Sequence, residues 1–248
     1  VKTFLICPGA ERSGTSWLHT YLKLNKNINF GDLKEYHYLD SVNLKEFAGF
    51  KNNNIKHDIF YKFYQNELEY YNYFIDILNT YDITGDFSPG YSGLSEDVFA
   101  KTINTFKNLG VETKAIYLVR DPVKRHISAT NLRIKYDHLS LSSDEYNEMI
   151  LFNIDDPIFN INGDYRRSHE KMLNVFKDNY LIKKYENLFN EKSIQEVCNF
   201  LNIEYLTPNF EIKINEKPVF NLEIYESTID QLYFYYQKEI EFIKTIDV

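Results

Sequence analysis

Two glycines, Gly9 and Gly14, stand four residues apart behind a short apolar run, enclose Ala10-Glu11-Arg12-Ser13, and are followed directly by Thr15, Ser16 and Trp17. Glycines at this spacing, with a hydroxyl pair after them, suit a loop whose backbone N–H groups wrap a phosphate while the next helix presents its positive end. A nucleoside triphosphatase places Lys after the second glycine to reach the outer phosphates; here Thr15 takes that place and the cation sits inside the loop, at Arg12. The same residues also fit a plain structural turn in which Ser13 or Thr15 caps a helix. A second anion signature comes much later, Arg120-Asp121-Pro122 followed by Arg125 and Ser128. Arg120 closes an apolar run, the edge at which open α/β sheets bind ligands, and Ser128 falls two turns into the helix after it. Two such sites call for one ligand with two phosphate groups.

Those residues need elements to hold them. Thr3–Cys7 reads as a strand stopped by Pro8-Gly9, and the apolar spacing of Trp17, Leu18, Tyr21 and Leu22 as a helix. The Tyr/Phe-rich stretch 47–78 has helical spacing and reads as core-facing helix. Ile83–Asp86 is a brief strand, Ser95 caps a helix to about Asn108, and Gly110 lies just past its end. Thr113–Val119 is the strongest parallel-strand candidate, with a helix expected through Arg125, Ile127 and Leu132. Residues 140–164, rich in Ser, Asp, Glu and Asn, read as an acceptor-side insertion or mobile loop. Tyr165–Phe176 and Ile194–Leu201 read as helices, Tyr180–Tyr185 as a strand, and Ser227 to about Lys244 as one closing helix. The alternation predicts an α/β fold, a three-layer α/β/α domain with a central parallel sheet and P-loop NTPase-like topology, filling residues 1–248 as one domain.

Composition narrows the function. The 248 residues carry 28 Lys+Arg against 36 Asp+Glu, a net charge of -8, so a broad basic face for nucleic acid is not expected and an anion site must be local. No apolar stretch approaches the roughly 20 residues of a membrane span. Cys7 and Cys198 lie far apart, without metal-type neighbours, which points to a reducing, cytoplasmic setting. The sequence does not begin with Met, which leaves an upstream anchor or transit segment open. The oligomeric state is not legible.

Gly9–Leu18 (GAERSGTSWL) resembles the 5′-phosphosulfate loop of sulfotransferases that use 3′-phosphoadenosine 5′-phosphosulfate (PAPS), and Tyr117–Ser128 (YLVRDPVKRHIS) resembles their 3′-phosphate motif. Asp86-Phe87-Ser88-Pro89-Gly90-Tyr91, Gly163-Asp164-Tyr165 and Tyr185-Glu186-Asn187-Leu188 are similar to further family motifs in the family's order. The resemblance implies PAPS as donor and 3′-phosphoadenosine 5′-phosphate as product. Arg12, Ser13, Gly14, Thr15 and Ser16 would surround the 5′ end, Trp17 would stack on adenine, and Arg120 and Ser128 would hold the 3′-phosphate. The chain departs from the family in three places. Arg12 replaces the Lys common among cytosolic and heparan-type members, Phe87 replaces a heparan-type Lys that touches the ligand, and Lys217, or more weakly Lys213, is only a loose substitute for a missing Arg-Lys-Gly loop.

Lys34-Glu35-Tyr36-His37-Tyr38-Leu39-Asp40 is similar to the Glu-x-His-Phe-Phe-Asp segment of heparan-type carbohydrate sulfotransferases, whose Glu is the general base. Glu35 is therefore the first candidate and His37 the second. Burial would raise the Glu35 pKa from about 4.3, whereas Lys34 and His37 would lower it. The expected reaction is in-line transfer of the sulfuryl group to a hydroxyl or amine of a glycan or small molecule, with Arg12 neutralising the leaving phosphate and no metal. Asp144, Glu145, Glu148, Asp155 and Asp156 would disfavour a polyanionic acceptor, or else simply solvate a loop. The alternatives are a non-catalytic module for 3′-phosphoadenosine ligands or glycans and, further off, a P-loop kinase.

Overall fold

Alternate residues of the two central strands sink into two different cores, and this divides the molecule into layers. Phe4 and Ile6, with Ala115, Tyr117 and Val119, face one apolar cluster; Leu5 and Cys7, with Ile116 and Leu118, face another. Strands apolar on both faces belong to a parallel sheet covered by helices on each side. The computed structural model describes residues 1–54, 58–212, 214 and 222–246.

In chain order the elements are β1 (Thr3–Ile6), α1 (Thr15–Leu22), α2 (Tyr38–Asn43), α3 (Ala48–Asn54), α4 (Asp58–Gln65), α5 (Glu67–Leu78), β2 (Ile83–Asp86) and α6 (Glu96–Asn108). There follow β3 (Glu112–Val119), α7 (Pro122–Tyr136), α8 (Ser143–Phe152), α9 (Pro157–Gly163), α10 (Tyr165–Phe176), β4 (Tyr180–Lys184), α11 (Tyr185–Leu188), α12 (Glu191–Leu201), α13 (Glu226–Tyr235) and α14 (Gln237–Thr245). The sheet order is β2-β1-β3-β4, every pair parallel, with Thr3 level with both Ile83 and Glu112 and Ala115 level with Tyr180. The ends of β1, β2 and β3 therefore open toward one edge, and the segments that begin at Cys7, Phe87 and Arg120 all leave from it.

Helices α5, α6 and α10 cover the first face and α1 and α12 the second. Phe4 is fully buried between Phe74 and Phe106, with ring centroids 4.8 and 4.0 Å away. Burying a ring of this kind contributes roughly 1.5–3 kcal/mol, so this face anchors the base of the sheet. A third cluster, Val123, Ile134, Tyr146, Ile150, Leu232 and Tyr236, binds α7 to α8 and α13. Among the described residues, no helix is long and apolar enough to cross a membrane.

The expected strands are present, and the expected three-layer α/β arrangement is the one observed. Two expectations change. Residues 140–164 contain α8 and α9 rather than a loop, because Ser142 and Glu145 form a reciprocal capping box and Asp156 caps α9 just before Pro157. The closing helix is broken at Tyr236 into α13 and α14, where the buried Tyr236 hydroxyl is tied to Arg125 and His126. Stretch 47–78 is helical as expected, its described residues forming α3, α4 and α5.

Candidate active site

The loop after β1 begins as an extension of the sheet. Ala10 N–H donates to the Leu118 carbonyl at 2.6 Å and Leu118 N–H donates to the Gly9 carbonyl at 2.9 Å, which holds the loop against β3. The chain then reverses through Arg12 (φ 63°) and Gly14 (φ 93°) into α1. Only glycine suits position 14 on two counts: the left-handed backbone, and a Cβ that would meet Tyr185 Cδ2 at 3.0 Å and Leu188 Cδ2 at 3.1 Å. Gly14 is itself the N-cap, so no hydroxyl caps α1 and the alternative of a plain capped turn does not describe this loop. The first-turn N–H groups of such a helix are natural donors to an anion.

The two anion signatures meet. Arg12 Nε donates to Ser128 Oγ at 3.0 Å, and Arg120 Nη1 donates to the Arg12 carbonyl at 3.1 Å. Arg120 also lies 4.4 Å over the Tyr185 ring. The Arg-Asp-Pro order has a local cause: Asp121 caps α7 by accepting from Lys124 N–H, and Pro122 takes the first helical position, so Arg120 is left at the tip of β3. Burial first, opposed by Glu11 and reinforced by Arg120, depresses the Arg12 pKa, and an anion beside the guanidinium would offset that cost of burial. Ser13 is fully buried and Thr15 nearly so, while Ser16 lies in the first turn of α1. Trp17 is 6% exposed, with its ring nearly parallel to Tyr21 at 5.6 Å and to Phe210 at 5.8 Å.

A row of alternating charge starts at the same helix. Lys34 Nζ donates to Thr15 Oγ1 at 3.1 Å and pairs with the Glu35 carboxylate. Glu35 Oε2 lies 3.2 Å from His37 Nε2, and His37 Nδ1 lies 2.7 Å from Asp40 Oδ2. His37 has a left-handed backbone (φ 48°, ψ 30°) and the Phe50 ring stacks on it at 4.2 Å. A buried hub maintains this conformation. His37 N–H donates to Ser88 Oγ at 2.8 Å, and the Ser88 hydroxyl donates to Asp86 Oδ1 at 2.6 Å. Asp86 also accepts from the hydroxyls of Tyr70 and Tyr91 at 3.0 and 2.6 Å.

Burial works against both charges of the central pair, yet their contacts prevail. For Glu35, burial would raise the pKa, but the hydrogen bond from His37 and the charge of Lys34 bring it down to about 2. For His37, burial would lower it, but hydrogen bonds to Asp40 and Glu35 bring it up to about 10. His37 is therefore an imidazolium at neutral pH. Its folded pKa exceeds its unfolded value, so its contribution to stability is complete below about 6.5 and is lost as pH climbs through about 10. In a titration followed by NMR, the His37 ring signals should stay in the protonated form through neutrality and move only near pH 10; a midpoint between 6 and 7 would contradict this.

Sequence reasoning brought Arg12, Ser13, Gly14, Thr15, Ser16, Arg120 and Ser128 to one region, with Glu35 and His37 beside Thr15 through Lys34. Lys217 and Lys213 lie outside the described residues. The sequence reading named several neighbours of the site within motifs without giving them a role of their own. Asp40 is signalled by its i,i+3 spacing from His37. Tyr185 is signalled only by motif, since its packing under Arg120 and Gly14 is a long-range event. Arg125, fully buried, donates to the Phe159 carbonyl and to the Tyr236 hydroxyl, each at 3.3 Å. Three of the five acids on 140–164 are engaged locally: Asp144 accepts from Tyr225, Glu145 caps α8, and Asp156 caps α9 and pairs with Arg133.

Comparison with known proteins identifies the family and the fold. Residues 2–244 match the family described as the sulfotransferase domain. No curated protein matches the chain. Among solved structures, a sulfotransferase from Alicyclobacillus acidocaldarius superposes with a TM-score of 0.65 at 15% identity, over 100% of this chain and 98% of that one. A sulfotransferase domain from the curacin biosynthetic pathway superposes with a TM-score of 0.48 at 15% identity, over 83% of this chain and 75% of that one. At these identities the likeness of the first is one of fold.

Proposed function

The chain belongs to the sulfotransferase domain family, and from that premise we propose that it transfers the sulfuryl group of PAPS to a hydroxyl or amine of an uncharged glycan or a neutral-to-cationic small molecule. The observation that supports this reading best is the junction of residue 12 with residues 120 and 128. The loop we read as a phosphate cradle and the strand tip we read as a second anion site meet through Arg12 Nε on Ser128 and Arg120 on the Arg12 carbonyl. A ligand with a phosphate at each end of an adenosine suits that junction, with Arg120 and Ser128 toward the 3′-phosphate and the N–H groups of residues 13–16 toward the 5′ end. Trp17 would offer adenine the ring area it now shares with Phe210.

In this reading the acceptor hydroxyl attacks sulfur, the new O–S bond forms as the bond from sulfur to the 5′-phosphate oxygen breaks, the electron pair stays on that phosphate, and Glu35 takes the proton. His37 is the weaker candidate for base, because it already carries a proton at neutral pH. It fits better as the group that orients Glu35, with Asp40 behind it. Glu145 and Asp156, which cap helices, and Asp156 again in its pair with Arg133, support the fold, which leaves Asp144, Glu148 and Asp155 as further exposed charges on that side.

The test has two measurements. Calorimetry should detect binding of 3′-phosphoadenosine 5′-phosphate, and sulfur-labelled PAPS should label an acceptor in a panel of neutral glycans, amines and phenols. Absence of both signals would reject the reading. Binding without any labelling would favour a non-catalytic module for the same nucleotide.

A further inference from the structure

Resting on that reading of the donor site, we infer that Lys34 is the cation that meets the sulfuryl and 5′-phosphate oxygens in the transition state, and that donor binding releases Glu35 by drawing this ammonium away from it. Among the described residues, Arg12, Arg120 and Lys34 are the basic side chains tied to the start of α1, and two of them are directed elsewhere. Arg12 places Nε on Ser128, and Arg120 spans the Arg12 carbonyl and the Tyr185 ring. Lys34 alone of the three has its charge at the mouth of the loop, with Nζ 3.1 Å from Thr15 Oγ1 and its side chain 21% exposed. Phe87, at the end of β2, contributes only a buried ring packed on His19 and Phe30.

Lys34 is held so that it can change partners. Its backbone carbonyl accepts from Phe87 N–H at 3.0 Å, which fixes the chain, while the flexible four-carbon stem leaves the ammonium free to swing between Glu35 and an anion on Thr15. Without the donor, the ammonium helps hold Glu35 ionised and feebly basic. When an anionic phosphosulfate sits at Thr15, the same ammonium gains a more highly charged partner and Glu35 loses one of the groups that depress its basicity. Sulfur–oxygen cleavage then puts negative charge on the 5′-phosphate next to Lys34, and the acceptor proton goes to a carboxylate that has become a better base. Lys34 takes no proton itself.

The experiment compares wild type with Lys34→Met and Lys34→Arg. For Lys34→Met, turnover should fall by about 10² to 10³-fold, the usual loss for one preorganised donor at a developing anion, while affinity for 3′-phosphoadenosine 5′-phosphate changes little. The acid limb of kcat/KM, which reports the free enzyme, should shift to higher pH, and Lys34→Arg should restore part of the rate. Turnover within a few-fold of wild type, or an acid limb that stays in place, would overturn the inference. So would parallel losses of turnover and bisphosphate affinity, the mark of a purely structural lysine. If Lys34→Met does not fold, Lys34→Gln carries the same test. A wild-type protein that transfers no sulfate would remove the donor reading and this inference with it, whereas an active wild type with an insensitive Lys34→Met removes this inference alone.

Discussion

Replacing Glu35 with Gln should lower turnover by about 10² to 10⁴-fold, the range for loss of a general base, and leave bisphosphate affinity essentially as it was. The side-chain carbonyl of Gln can still accept from Lys34 or from the His37 imidazolium, both of which now touch the carboxylate. What the amide cannot do is take the acceptor's proton. The separation of kcat from binding is the informative part, since the loop and the strand tip lie on other elements. Transfer assays with calorimetry on the same preparations check it. If Glu35→Gln keeps its turnover while His37→Ala abolishes it, the base is His37.

Arg120→Ala should weaken binding of 3′-phosphoadenosine 5′-phosphate by about 10- to 100-fold, the effect of losing a hydrogen bond between charged groups. Adenosine 5′-phosphate, which lacks the 3′ group, should bind almost as before. Calorimetry with the two nucleotides separates the roles Arg120 could have, because its guanidinium also supports the loop through the Arg12 carbonyl and lies on Tyr185. Equal losses for both nucleotides would make Arg120 a brace for the loop rather than a 3′-phosphate ligand.

Much of this was legible in the chain because local physics determined it. The apolar run to Val119, the break at Asp121-Pro122 and the glycine spacing of the first loop each have a short-range cause, and all three appear where expected. Residues 140–164 misled because their polar composition resembles loop composition, although Ser142, Glu145 and Asp156 are helix caps. The row from Lys34 to Asp40 was legible as residue types but not as an ordered chain of contacts. Its order depends on Ser88 and Asp86, about fifty residues away, and on the Tyr70 and Tyr91 hydroxyls that complete the hub. The parking of Arg12 on Ser128 had no sequence signal, since it joins positions 116 residues apart.

The Lys34–Glu35–His37–Asp40 row alternates in sign and sums to zero, so its field decays quickly with distance, as that of paired opposite dipoles does. The guanidinium groups of Arg12 and Arg120 have no such cancellation among themselves and project their attraction outward. Dissolved ions shield long-range fields far more than contacts within a few ångströms. On the proposed function, ionic strength should therefore act on how readily the nucleotide is captured and hardly at all on the step in which the group moves.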